Sequence, residues 1–278
     1  MASISASEVG QHCYAVLVIL VYLAAVVDFF RFQSVIGPLV DHYRNAIFGG
    51  MIFFPLTGAA LALAAGAGGK MALEMGQTGL FQFLAAFVLF FAGCIWVRRC
   101  PLRETVRQDL IWKKRLGGST TYRQPWPLVN RLGAGAGLGI CLFLGSLGAL
   151  SAYAQFTGAD LGEGFDNPHI TSRPIVQVVF LALLAPLIEE ITVRWYLLHA
   201  LLRFFRRWPM RRALAIALSA GFWALGHSFF EPAGLKMAQI FIVGCFLGAF
   251  FPRLGLEGSI VAHLTINLLS LLALTAVY

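Results

Sequence analysis

Charge is what this chain lacks most. Of its 278 residues only 12% are Asp, Glu, Lys or Arg, against 59% hydrophobic, whereas a water-soluble domain carries roughly twice that charged share. The scarcity excludes a separate soluble domain and predicts an all-α, polytopic integral membrane bundle, one transmembrane domain over residues 1–278. Acidic residues are the rarer sign, 13 against 21 Lys and Arg, for a formal net charge of +8. In a membrane protein such an excess reports cytoplasmic loops, so nucleic acid is not expected as a partner. The five cysteines (Cys13, Cys94, Cys100, Cys141, Cys245) show no CxxC spacing. All but Cys100 sit in or beside apolar runs, which favours small packing residues over a disulfide or metal framework. Met1 to Gln11 hold no Lys or Arg, so the basic start of a signal peptide is missing and the first apolar segment is predicted to be a retained span.

What the chain does have is apolar runs of about 20 residues, the length a bilayer demands. They predict about eight spans: His12–Phe30, Ala46–Gly66, Gly79–Val97, Leu132–Phe156, Ile175–Leu202, Ala213–Phe230, Met237–Phe251 and Ser259–Val277. Odd-numbered loops hold 17 basic residues and even-numbered loops only Lys70, Arg173 and Lys236. The positive-inside rule then places odd loops in the cytoplasm and both termini outside. In the largest loop, Arg98 to Arg131, Val106, Leu110, Ile111 and Leu116 among basic residues predict a short helix on an anionic inner leaflet. The outer loop Thr157–Pro168 is acidic and glycine-rich. The run Gly133-Ala-Gly-Ala-Gly-Leu-Gly139 follows no strand, so close helix packing explains it better than a phosphate loop.

Against this apolar background, Glu189 and Glu190 stand in the middle of the fifth span, with Arg194 four residues on. A carboxylate at bilayer depth costs about 2.5–3.5 kcal/mol on insertion scales, so it marks a protected cavity and a task. Residues four apart share a helix face while neighbours diverge by about 100°. Glu190 and Arg194 are therefore predicted to pair, leaving Glu189 as the carboxylate free for chemistry, an assignment resting on spacing alone. His227 ends the sixth span beside Gly226, whose missing side chain leaves room for water or a peptide backbone to approach. His263 and Asn267, four apart in the eighth span, project two nitrogen donors from one face, as an oxyanion requires. With these boundaries His227 lies near the outer end of its span and His263 near the inner end of its own. The two rings meet only if helices are tilted, broken or differently bounded.

Glu189-Glu190-xxx-Arg194, Trp223-xxx-His227 and His263-xxx-Asn267, in that order and inside spans, resemble the CAAX-protease and bacteriocin-processing (CPBP) family of glutamic intramembrane endopeptidases. The resemblance covers about Ala185 to Asn267, within a motif-bearing core of residues 173–278, and leaves spans 12–156 without an assigned role. It implies that Glu189 is the base that activates a water with help from His227. It further implies that His263 and Asn267 hold the oxyanion, and that Glu190 and Arg194 are a supporting pair. Trp223 stands where phenylalanine is commoner. Trp195-Tyr196 follows the arginine where Gly-Phe is frequent, which predicts a narrowed substrate groove.

The implied activity is hydrolysis of a peptide bond in a membrane-associated protein or peptide: a prenylated tail, a leader or a C-terminal sorting signal. No cofactor is expected. The rival mechanism is a zinc hydrolase with one Glu and two His as ligands, although no His-Glu-xx-His helix is present. The rival class is a non-enzymatic immunity or accessory protein, or a transporter using its glutamates as a proton relay. No internal repeat of the kind many transporters carry joins the two halves. A bacterial inner membrane is the expected location, since no eukaryotic retention or lipidation signal is visible.

Overall fold

The computed structural model describes residues 6–64, 66, 68–98, 127–158, 175–227 and 233–277. These are helical almost throughout: α1 (Ala6–Arg31), α2 (Gln33–Ala64), α3 (Gly69–Arg98), α4 (Leu128–Thr157) and α5 (Ile175–Glu189) come first. A π-helical stretch (Glu190–Leu197) follows, then α6 (Leu198–Phe204), α7 (Arg211–Leu225) and α8 (Ala233–Val277). No strand occurs among the described residues. In hydrocarbon each backbone group needs a partner within its own segment, which apolar runs of this length satisfy only as helices. The amphipathic helix expected between Arg98 and Arg131, and most of the acidic outer loop, lie outside the described residues.

Among the described residues five helices are long and apolar enough to cross a membrane, over His12–Arg31, Ile47–Ala64, Gly69–Val97, Leu128–Thr157 and Gly234–Ala273. The protein is thus an integral membrane protein. The difference from the eight expected spans has two sources. The fifth predicted span is divided into α5, the π stretch and α6, which follow without a break, and α7 of the sixth ends at Leu225. The predicted seventh and eighth spans follow one another in α8 as two helices that meet at Gly255 (φ 66°, ψ −173°), where the helical path is interrupted. Only glycine adopts that conformation without strain, and Pro252, which lacks an N–H, loosens the turn before it.

Backbone approach through glycine fixes how α8 sits. A Cβ on Gly244 would strike Ala220 and Trp223, and one on Gly248 would meet Ile216, so the first part of α8 runs antiparallel to α7. A Cβ on Gly135 would collide with the carbonyl of Gly258, and one on Gly139 with Ala262 and Thr265. Numbers rise together here, so the second part of α8 runs parallel to α4. Of the glycine-rich run only Gly135 and Gly139 face this seam; Gly133 and Gly137 meet nothing within 4 Å. Gly135→Val is expected to wedge the two helices apart at a cost of roughly 1–3 kcal/mol, the range for overpacking. A lowered thermal midpoint in detergent, with Gly137→Val as the neutral comparison, measures it.

The core lies on α3 and the π stretch. Phe91, Cys94, Ile95 and Val97 of α3 pack with Trp195, Leu198, Leu202, Ala215 and Phe251. By contrast α1 presents Val16, Ile19, Leu20, Leu23 and Val27 outwards, each at least half exposed, as a helix facing lipid does. Cys13, Cys141 and Cys245 are free thiols.

Candidate active site

The site forms where the fifth segment stops being a regular α-helix. Pro186 in α5 has no N–H to give the carbonyl of Ala182, four residues back. Asn267 of α8 supplies the missing donor, its Nδ2 lying 3.3 Å from that carbonyl. One turn later the chain widens into the π stretch, where the N–H of Leu198 reaches the carbonyl of Val193, five residues back. Such inserted turns concentrate at functional sites because they re-aim side chains. His199 closes the irregularity: its Nδ1 donates to the carbonyl of Trp195 at 2.8 Å and lies 3.1 Å from that of Arg194.

The π turn anchors its bulky residues away from the site. Trp195 Nε1 donates to the carbonyl of Phe90 at 2.8 Å, and its ring stacks on Phe90 at 5.6 Å and 15°. A side chain on Gly93 would collide with that indole, so α3 must have glycine there. Tyr196 packs with Ala25 of α1 and with Ala86, Leu89 and Ala92 of α3. The groove narrowing expected from Trp195-Tyr196 is therefore corrected: both rings fill the contacts to α3 and α1.

The remaining face of the turn gathers the polar groups. Glu190 is fully buried, and its Oε1 lies 3.1 Å from Arg194 NH1 and 3.0 Å from His263 Nδ1. Its Oε2 accepts the hydroxyl of Ser259. Arg194 is equally buried and lays its guanidinium over Trp223, 4.1 Å from the ring centroid. A buried charge pair persists only when its remaining hydrogen-bonding capacity is met, and Ser259 and His263 meet it for Glu190.

Glu189 differs. Its side chain is 28% exposed, and its Oε2 accepts the indole N–H of Trp223 and lies 3.8 Å from His263 Nε2. His263 thus stands between the two carboxylates, donating Nδ1–H to Glu190 and turning Nε2 towards Glu189. A phenylalanine at position 223 has no N–H with which to hold Glu189. His227 bonds through Nδ1 to the carbonyl of Trp223 at 3.0 Å, which makes Nδ1 its donor nitrogen.

Both imidazoles lie edge-on to Trp223, His227 at 5.7 Å and His263 at 5.0 Å between centroids. The two rings expected at different depths thus meet across Trp223. The site residues named from the sequence (Glu189, Glu190, Arg194, Trp223, His227, His263) therefore gather around one indole. Asn267 lies a turn beyond, its amide nitrogen on the backbone of α5.

Three residues escaped the sequence reading. Ser259 is one helical turn before His263 on the same face as Asn267, and that four-residue rhythm was the available signal. His199 carries no such pattern. Tyr14 of α1 fills the space above Gly226, where a Cβ would meet its hydroxyl at 2.5 Å. The vacancy expected beside His227 is thus occupied by a phenol. Among the described residues no group of three His, Cys, Asp or Glu is placed to hold a metal ion.

Residues 171–269 match the family model described as type II CAAX prenyl endopeptidase Rce1-like. The matched segment carries all of the motif residues, and the match supports the resemblance to the CPBP family. No curated protein and no solved structure matches the chain.

Proposed function

We propose, from the likeness of residues 171–269 to the CAAX prenyl endopeptidases, that the chain is an intramembrane endopeptidase working by a glutamate-activated water. One observation carries the reading: of two adjacent carboxylates, Glu190 is sealed in an ion pair while Glu189 is partly open and 3.8 Å from an imidazole. That division of labour suits a base beside a rigid support. Glu189 takes a proton from water, and the oxygen attacks the scissile carbonyl carbon. His227, with Nδ1 on the carbonyl of Trp223, offers Nε2 to the second proton of that water. His263 Nε2, when protonated, and the second N–H of the Asn267 amide hold the oxyanion. Glu189 then delivers its proton to the leaving amine.

The substrate class is a protein or peptide with a membrane-associated end, and the likeness to CAAX prenyl endopeptidases favours a prenylated C-terminal tail. With α8 read as two spans and the polar α5–α6 and α7 segments as one each, eight spans result. Both termini then lie outside in a bacterial inner membrane, with the basic loops against its anionic inner leaflet.

Purified protein in detergent micelles is expected to cleave a farnesylated CAAX peptide, with new termini located by mass spectrometry. Cleavage is expected to persist in the presence of a strong chelator, with no stoichiometric metal in the preparation. Loss of activity on chelation, restored by zinc, would replace the water-on-glutamate mechanism with a metal-bound one.

A further inference from the structure

Tyr14 reaches the site from α1, outside the segment that resembles known peptidases. The helix is otherwise largely lipid-facing, with Leu17, Leu20 and Leu23 exposed. Tyr14 is half-buried, its ring packing on Phe222 of α7 at 5.5 Å. A Cβ on Gly226 would meet its Oη at 2.5 Å and its Cζ at 2.8 Å, with the carbonyl of Trp223 at 3.2 Å. The phenol oxygen therefore rests on the backbone between Trp223 and His227. The indole of that same Trp223 donates to Glu189. The Tyr14 hydroxyl is a polar group brought against the backbone of α7 by an otherwise apolar helix.

We infer that Tyr14 is a positioning residue that aims the attacking water. The inference rests on the hydrolytic reading above. A water at Glu189 has two protons and two lone pairs to place. One proton faces Glu189 and the other His227 Nε2. If the Tyr14 O–H donates to one lone pair, the other is left pointing at the carbonyl carbon. On attack the new C–O bond forms from that pair, the water proton passes to Glu189, and the carbonyl π pair moves onto the oxygen. Tyr14 keeps its own proton throughout. Gly226 is required because any side chain there would displace the phenol. On this view the first span, which lies outside the matched segment, completes the reaction chamber.

Tyr14→Phe tests it, since the ring stays on Phe222 and only the hydroxyl is lost. With an internally quenched, farnesylated CAAX peptide in micelles, kcat is expected to fall about 10- to 100-fold while KM stays within about twofold. The infrared band of the Glu189 carboxyl, assigned by difference against Glu189→Gln, is expected to shift in Tyr14→Phe without any peptide. An unchanged kcat or an unmoved band, in a protein whose wild type cleaves and whose Glu189→Gln variant does not, overturns the inference and leaves the hydrolytic reading standing. A wild type that cleaves nothing removes the hydrolytic reading and this inference with it.

Discussion

Glu189→Gln is expected to abolish peptide cleavage, with a loss of at least about 10³-fold in kcat, near the upper part of the range for removing a general base. The amide can still accept the Trp223 N–H, so the indole, the two histidines and the ion pair beneath keep their places. What disappears is the ability to take a proton from water. The variant should therefore melt at the wild-type temperature and bind the farnesylated peptide with near-wild-type affinity while producing no new terminus. That combination of intact binding and absent turnover separates a lost chemical step from a damaged fold. The same variant distinguishes the rival class. A carrier that uses the glutamate as a proton relay would lose solute flux in vesicles and would show no cleavage to begin with.

Arg194→Ala acts on stability. It leaves the fully buried Glu190 with a hydroxyl and an imidazole but without its guanidinium, and breaking a buried pair from one side costs about 3–5 kcal/mol. It also uncovers the face of Trp223, on which both histidines lean. The expected result is a large drop in thermal midpoint in detergent, together with poor recovery from the membrane. Replacing both charges, Glu190→Gln with Arg194→Met, is expected to restore most of the stability, because the cost lies in the uncompensated charge. Equal instability of the single and double variants would show that packing over Trp223, rather than charge, is what Arg194 supplies.

Local rules made part of this site legible. The four-residue intervals Glu190 to Arg194 and His263 to Asn267 survive any helical geometry, and their partners are polar groups that hydrocarbon forces together. The membrane class followed from composition alone. Two things were beyond a reading of spacing. The first is the π turn, because one extra residue in a helical turn leaves the apolar pattern almost unchanged while rotating Trp195 and Tyr196 towards α3 and α1. The second is any partnership across long sequence separation: Tyr14 and Gly226 are joined only through the path of the chain. The interruption at Gly255 left a signal, Pro252 followed three residues later by glycine, which reads as a connection between two spans, and there the helical path of α8 breaks.

The widened turn at Glu190–Leu197 carries a consequence for how this sequence tolerates change. A helix of this kind behaves as an α-helix with a single inserted residue, so its length matters as much as its letters. With the turn still widened, deleting one residue beside it would swing everything downstream by about 100°. Trp195 would then leave its slot over Gly93, and His199 would leave the carbonyls it now caps. No point substitution reproduces that displacement. Insertions and deletions at this turn are therefore expected to be far less permissible than exchanges of one side chain for another.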